Sequence, residues 1–239
     1  MAEVRRFINR AQAGKLLAKA LAAYAHKPDA IVLALPRGGV PVAFAVAMTL
    51  ELELDILLVR KLGLPGQPEY AIGAIGSGGV RVLQPGVPGL MGVTQEQIDA
   101  IATRELIEIE RRTHLYRGDR AQPVLAGRDV LIVDDGIATG STMQAAVQVA
   151  RRHGARRVVV AAPVAPPDTL AALAPLADEV ACLAAPPYFR AVSQWYETFD
   201  QTSDEEVQEW LTMAWRADAD RQAPAQPRQL RQPNREDET

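Results

Sequence analysis

The chain of 239 residues holds one cysteine, three histidines and only 5% aromatic residues. A single thiol, Cys182, excludes an internal disulfide and a thiol-based zinc site. Its surroundings, Asp178-Glu179-Val180-Ala181-Cys182-Leu183, read as a buried strand rather than the setting of a nucleophile. His26, His114 and His153 are dispersed, with no i,i+4 pair to offer two imidazoles to a metal, so each is expected at the surface or at a helix cap. Neither sign of charge dominates. Lys+Arg 26 against Asp+Glu 29 leaves a net charge of -3 and a pI near 5.7, which gives no case for a nucleic-acid surface. The opening Met1-Ala2-Glu3-Val4-Arg5-Arg6 lacks the apolar stretch of a signal peptide. The nearest approach to a membrane-length apolar run, Ala30 to Leu50, is cut by Pro36-Arg37-Gly38-Gly39. A soluble cytoplasmic protein without nucleic-acid or membrane partners is the expectation.

With 48% hydrophobic residues, the chain can bury one sizeable core, and its length allows one or two domains. Residues Phe7 to Ala25 carry apolar side chains at helical spacing, with Asn9 as candidate N-cap. Ala30–Leu35 reads as a strand, Val40–Leu50 as a helix and Leu54–Val59 as a second strand. Two short runs, Ala71–Ile75 and Val80–Leu83, flank Gly76-Ser77-Gly78-Gly79 and suggest a hairpin. Thr94 to Tyr116 is a long helical pattern with Thr94 and Gln97 spaced as a capping box. Strand Val130–Val133, helix Ser141–Arg152, strand Arg157–Ala162, a proline-broken helix and strand Val180–Leu183 follow. Strands alternating with helices argue an α/β fold with a mainly parallel sheet, whose ligands bind at the carboxyl ends of the strands. No internal repeat is present. Residues 216–239, rich in Gln, Pro and Arg, have too little apolar surface to offset their ordering cost and are expected to be a disordered tail.

The stretch Val130 to Met143, VLIVDDGIATGSTM, carries the most chemistry. An apolar strand runs into two carboxylates, Asp134 and Asp135. A short loop then leads into a helix that starts with Thr139-Gly140-Ser141-Thr142. The unpaired N–H groups and partial positive charge of a helix N-terminus favour a phosphate. Gly140 lets the backbone approach, and three hydroxyls add donors. The acidic pair cannot share that phosphate without repulsion; it suits vicinal hydroxyls, with a divalent cation nearby to offset its charge. A phosphorylated sugar with a free diol fits both ends. A buried strand with an acidic helix cap would explain one Asp and one Thr, but not both acids and the whole TGST run. A Walker loop needs a lysine where Ser141 stands, and no G-x-G-x-x-G lies between a strand and a helix.

Two further clusters sit at strand ends. Leu35-Pro36-Arg37-Gly38-Gly39 places a cation beside two glycines whose N–H groups can form an anion nest; an ordinary glycine turn is the plainer alternative. Arg60-Lys61 puts two cations at the end of the second strand. They point to opposite faces if extended, so one of them, Lys61 by choice, is expected to reach a ligand.

The 130–143 segment resembles the phosphoribosyl diphosphate (PRPP) motif of the type I phosphoribosyltransferases. The opening Phe7-Ile8-Asn9-Arg10-Ala11-Gln12-Ala13-Gly14, LPRGGVPV, RKLG and the late WY-x-x-F-x-Q-x-x-D-E-E-V are similar to a bacterial group described as predicted phosphoribosyltransferases. The resemblance covers about residues 5–212. It implies the type I phosphoribosyltransferase fold in a domain spanning 1–215, with a small hood built from the terminal segments. It further implies that Asp134 and Asp135 bind the ribose 2′- and 3′-hydroxyls. Ala138, Thr139, Gly140, Ser141 and Thr142 would cradle the 5′-phosphate. Arg37, Gly38, Gly39 and Lys61 would bind diphosphate, the Arg37 loop often through a non-proline cis peptide. Glu69-Tyr70 would open a mobile catalytic loop, and the glycines and prolines of 63–89 suit a lid.

The implied reaction is transfer of ribosyl 5-phosphate from PRPP, with Mg2+, to a nitrogenous acceptor, releasing diphosphate. Ala138 stands where hypoxanthine-guanine enzymes carry an Asp, which counts against oxopurine salvage and leaves no assignable catalytic base. No residue is assigned as a direct metal ligand. Phe189, Trp195, Tyr196 and Phe199 cluster in the hood region and suit stacking on a base, although simple packing is the commoner role for such residues. A non-catalytic regulator that binds PRPP or a nucleotide is the alternative. Dimers are common among the resembled proteins, so a homodimer is a further expectation.

Overall fold

A computed structural model describes residues 6–84 and 86–222. Its centre is a five-stranded sheet of order β2-β1-β6-β7-β8, comprising β1 (Ala30–Ala34), β2 (Glu53–Ile56), β6 (Asp129–Val133), β7 (Arg157–Val164) and β8 (Glu179–Ala184). Every pairing is parallel. All five residues of β1 and of β6 are buried, as continuous apolar runs should be in a parallel sheet covered on both faces. The strand period of two sorts them. Val32, Ala34, Leu131, Val133, Val159 and Ala161 face one apolar cluster, shared with Leu17 of α1 (Arg10–Ala20), Leu21 that caps its end, and Val40 and Val46 of α2 (Gly39–Leu50). Ile31, Leu33, Val130, Ile132, Val158 and Val160 face another, against Met143, Ala146 and Val147 of α5 (Ser141–Arg152) and Leu173 of α6 (Pro167–Leu173). Each fully buried branched side chain contributes roughly 1.5–3 kcal/mol, so truncating Ile132, which has no exposed surface, strikes the sheet at its centre.

The first helix starts at Arg10, not Phe7; Asn9 caps it by accepting from the Gln12 N–H at 2.9 Å, and Phe7 instead bridges to Tyr196. The single strand read over Leu54–Val59 is two elements. β2 ends at Ile56, and β3 (Val59–Leu64) opens a separate antiparallel sheet with β4 (Gln67–Gly76) and β5 (Arg81–Leu83). Glu69 and Tyr70 therefore lie within β4; the Glu69 side chain is outside the described residues. The long helix α4 (Gln95–Arg117) follows a short α3 (Val87–Leu90) and has the expected capping box from Thr94 and Gln97. Cys182 is half-buried on the edge strand β8, with its thiol 3.2 Å from the Ala184 carbonyl, and burial pushes that thiol up. His26 is exposed beside Glu51, while His153 ends α5 with Nε2 3.0 Å from the Ser77 carbonyl.

The last helix, α7 (Asp204–Gln222), packs Val207, Leu211 and Ala214 against α2 and α4. Residues 216–222, expected in a structureless tail, are thus helical; 223–239 lie outside the described residues. Ala30–Leu50 is a strand, a turn and a helix, and no helix among the described residues is long and apolar enough to cross a membrane.

Candidate functional site

Register alone brings the two principal loops together. Ala34 of β1 pairs with Val133 of β6, so residues 35–39 and 134–140 leave the sheet side by side at its carboxyl edge. Leu35 N–H donates to the Val133 carbonyl at 2.9 Å and extends the contact. The Pro36–Arg37 peptide is cis, as the resemblance implies for this loop.

Glycine at 38 and 39 is required by what lies opposite. A Cβ on Gly38 would fall 2.1 Å from Asp135 Oδ2; one on Gly39 would fall 2.8 Å from the Val133 carbonyl oxygen and 3.0 Å from Asp134 Cα. The Arg37 loop thus closes directly onto the acidic pair. Asp134 Oδ1 accepts from the Asp135 N–H at 2.8 Å. Part of Asp134 stays accessible, yet protein encloses its carboxyl, and this burial, with the neighbouring Asp135 charge, holds it well above the usual carboxylate range. Burial also raises Asp135, but Arg10 opposes it: Arg10 Nε donates to Asp135 Oδ2 at 2.8 Å. The Arg10 guanidinium also donates to the Asp200 carbonyl at 2.6 Å and lies 3.8 Å over the Phe199 ring.

Beyond the acids, the chain turns into α5 through Gly140, whose φ of 77° is left-handed and whose Cβ would meet Thr169 Cγ2 at 2.8 Å. Thr169 anchors this turn by donating to the Ala138 carbonyl at 2.7 Å. No side chain caps α5; Thr139 Oγ1 is 3.5 Å from the Ser141 N–H, and Ala138, Thr139, Ser141 and Thr142 are exposed. Apart from the Ser141 N–H, which donates to Thr139 Oγ1 at 3.5 Å, the N–H groups of the first turn meet no side-chain acceptor among the described residues, the condition in which a helix N-terminus favours an anion.

Arg37 ends 3.6 Å from Asp204 Oδ1 at the start of α7, and the same oxygen accepts from the Tyr116 hydroxyl. Arg60 and Lys61 belong to β3, not to an edge of the main sheet. Both line a cavity of about 660 Å³ that reaches Thr142, with Gln97 and Arg104 on the α4 side; Arg60 is paired there with Glu105 at 2.9 Å. A second cavity, about 320 Å³, lies between Arg10, Arg37, Gly38 and Asp135 on one side and Phe199, Gln201 and Thr202 on the other.

The segments around Phe7 and Tyr196 join in a small cap. Phe7 N–H donates to the Trp195 carbonyl, and Glu197 N–H donates back to Phe7, each at 2.8 Å. Of the aromatics considered for stacking, Tyr196 is buried between Phe7 and Phe199, with its hydroxyl donating to the Asp135 carbonyl oxygen, so it packs and braces; Phe189 and Trp195 pack beside it. Phe199 borders the smaller cavity. Sequence reasoning missed Arg10, Thr169 and Asp204. No local spacing marks them, although Arg10 and Asp204 stand in segments that carry the resemblance.

The profile of the phosphoribosyl transferase domain family matches residues 8–186. Two curated proteins of Mycobacterium tuberculosis, from strains CDC 1551 and H37Rv, each named "Putative phosphoribosyl transferase", are 52% identical over 210 residues, which is 88% of this chain and 47% of each relative. The chain therefore spans about half the length of the curated relatives it matches. The crystal structure of TT1426 from Thermus thermophilus superposes with a TM-score of 0.80 at 43% identity, covering 87% of this chain and 98% of that one. The chain belongs to the phosphoribosyl transferase domain family and has its fold.

Proposed function

We propose that the protein binds PRPP at the carboxyl edge of β1 and β6 and transfers its ribosyl 5-phosphate to a nitrogenous acceptor. The observation that carries this reading is the adjacency of three parts: the uncapped start of α5, the acidic pair Asp134-Asp135, and the Arg37-Gly38-Gly39 turn closed onto that pair. In this reading residues 138–142 take the 5′-phosphate through the first N–H groups of α5 and the hydroxyls of Thr139, Ser141 and Thr142. Asp134 and Asp135 accept from the ribose hydroxyls. Arg37, with the N–H groups of Gly38 and Gly39, receives the diphosphate, and Lys61 approaches from β3.

No group of three or more His, Cys, Asp or Glu side chains among the described residues could hold a metal. That donor set suits magnesium carried in by the diphosphate better than a resident ion. When bound, the ion offsets the charge that builds on the leaving diphosphate. The chain's own part is electrostatic and positional: Arg37 and Lys61 stabilise the leaving group, and the acids favour the oxocarbenium character that develops at the anomeric carbon. The β3–β5 sheet, with its glycines and prolines, is the natural element to close over the site and exclude water. The acceptor belongs in the cleft beside Phe199, Gln201 and Thr202. One unit formed by residues through α7 and a cytoplasmic location complete the reading.

Diphosphate release from PRPP with magnesium, measured across purines, pyrimidines and small amines, tests it. Acceptor-dependent release establishes the transferase and names its substrate. Calorimetric binding with no release for any acceptor favours a second reading, a regulator that binds PRPP or a nucleotide. The engagement of Arg37 by Asp204, and the absence of an assignable base, are what speak for that alternative.

A further inference from the structure

Two adjacent carboxylates at the end of one buried strand pose a problem that the sugar site alone does not solve. With little water around them, both cannot hold a negative charge cheaply, and an unconstrained pair would share a proton and rotate. The fold treats the two differently. Asp134 has the Asp135 N–H at 2.8 Å as its partner. Asp135 has a full cation: Arg10 reaches it from α1, 125 residues earlier, at 2.8 Å, and both side chains are only 12% exposed.

Arg10 is itself held. Its remaining described contacts are the Asp200 carbonyl at 2.6 Å and the face of Phe199 at 3.8 Å, so the plane of the guanidinium is fixed by the 199–200 segment. Opposite, the Gly38 Cα closes on the same Oδ2 that Arg10 holds. Oδ2 is therefore committed, and among the described residues nothing donates to Oδ1 of Asp135. The charged and titratable groups facing this carboxyl are Asp134 beside it, Arg10 from α1, Arg37 across the cleft and the Tyr196 hydroxyl, which is bound to the Asp135 carbonyl.

We propose that Arg10 is a positioning residue of the sugar site, locking Asp135 as an oriented anion whose free oxygen accepts from a ribose hydroxyl. The proposal rests on the PRPP reading given above. It also makes the cap part of the sugar site: Phe199 and Asp200 set Arg10, Arg10 sets Asp135, and Tyr196 braces the Asp135 backbone.

The experiment compares the full-length wild type with Arg10→Gln and Arg10→Lys. Calorimetry measures binding of magnesium PRPP from pH 5.5 to 8.5, and carboxyl carbon-13 NMR follows Asp135, assigned with Asp135→Asn. Arg10→Gln is expected to bind at least about tenfold more weakly near neutral pH, a loss that shrinks as pH rises and Asp135 ionises unaided. Its Asp135 titration moves upward. Arg10→Lys, which keeps the charge but not the planar fork, is expected to retain the wild-type pH profile with weaker affinity throughout. A purely structural role lowers the melting temperature without altering either profile. Parallel pH profiles for wild type and Arg10→Gln, or an unmoved Asp135 titration, overturn the proposal while leaving PRPP binding intact. A wild type that binds no PRPP at any pH removes the sugar site itself, and this proposal with it.

Discussion

The Cα of Gly38 packs so tightly on Asp135 that a methyl group there would sit 2.1 Å from Oδ2. Gly38 has φ -59° and ψ -31°, a conformation alanine adopts freely, so the requirement for glycine comes entirely from the carboxylate across the gap. Gly38→Ala should consequently displace Asp135 rather than strain the backbone. We expect PRPP affinity to fall more than about tenfold, with a stability cost of about 1–3 kcal/mol in urea unfolding. Gly39→Ala meets the Val133 carbonyl and Asp134 Cα instead, which are backbone and cannot swing away. The larger loss of stability should belong to Gly39→Ala, and the reverse order would contradict this account of the turn.

Asp134 makes an opposite prediction for stability. Its folded carboxyl is held well above the usual range by burial first and by Asp135 second. A group with a raised folded value binds more protons in the native state than in the unfolded one. Its ionisation therefore weakens the fold as pH rises from the ordinary carboxylate value through the raised one. Asp134→Asn should melt higher than the wild type at neutral pH, with the gain shrinking on acidification toward about pH 4. The same variant should lose PRPP binding. Calorimetric melting at several pH values checks the first claim, and a neutral-pH melting point below the wild type would refute it.

The apolar runs of β1, β6 and β7 are buried on both faces, so continuous hydrophobicity marked them, and Gly or Pro punctuation marked the turns beside them. Leu54 to Val59 failed for the complementary reason. Leu57 and Leu58 are buried too, so no polar residue announces the step from β2 in one sheet to β3 in another. The acidic pair and the glycine turns were legible because their spacing is local. Arg10 was not legible as a partner of Asp135, because a contact across 125 residues leaves no periodic trace. The end of α7 was misread because its final turns are polar: helix packing is carried by Val207, Leu211 and Ala214, upstream of the stretch that holds Arg216, Asp218, Asp220, Arg221 and Gln222.

Arg37 is expected to matter for diphosphate more than for sugar. In the structure its guanidinium sits 3.6 Å from Asp204, and diphosphate must compete with that carboxylate. Arg37→Ala should cost transfer at least about tenfold while changing nucleoside monophosphate binding little, since a monophosphate makes no demand on this loop. Equal losses for the two ligands would remove Arg37 from a diphosphate role. Asp204→Asn takes away the competing charge, so diphosphate should bind a few-fold more tightly, and the effect should fade at high salt as screening grows. Competition calorimetry at two ionic strengths reads both variants.

The most deeply buried ion pair among the described residues lies away from the site. Arg117, at the end of α4, donates through Nε and a terminal nitrogen to Asp55 Oδ1 at 3.1 and 2.7 Å, and to the Ile56 carbonyl at 3.2 Å. Each side chain is only 2% exposed. It fastens α4 to the end of β2, where the chain leaves the main sheet for β3. Removing one partner leaves a desolvated charge with nothing to balance it. Asp55→Ala should cost about 3–5 kcal/mol in denaturant unfolding, whereas Asp55→Leu combined with Arg117→Met should recover much of the loss. Because α4 and β3 together wall the larger cavity, hydrogen exchange in residues 59–76 should quicken in Asp55→Ala and return toward wild type in the double variant. Additive losses in the double variant would show that Asp55 and Arg117 act through separate contacts and that the pair is not what ties α4 to the sheet.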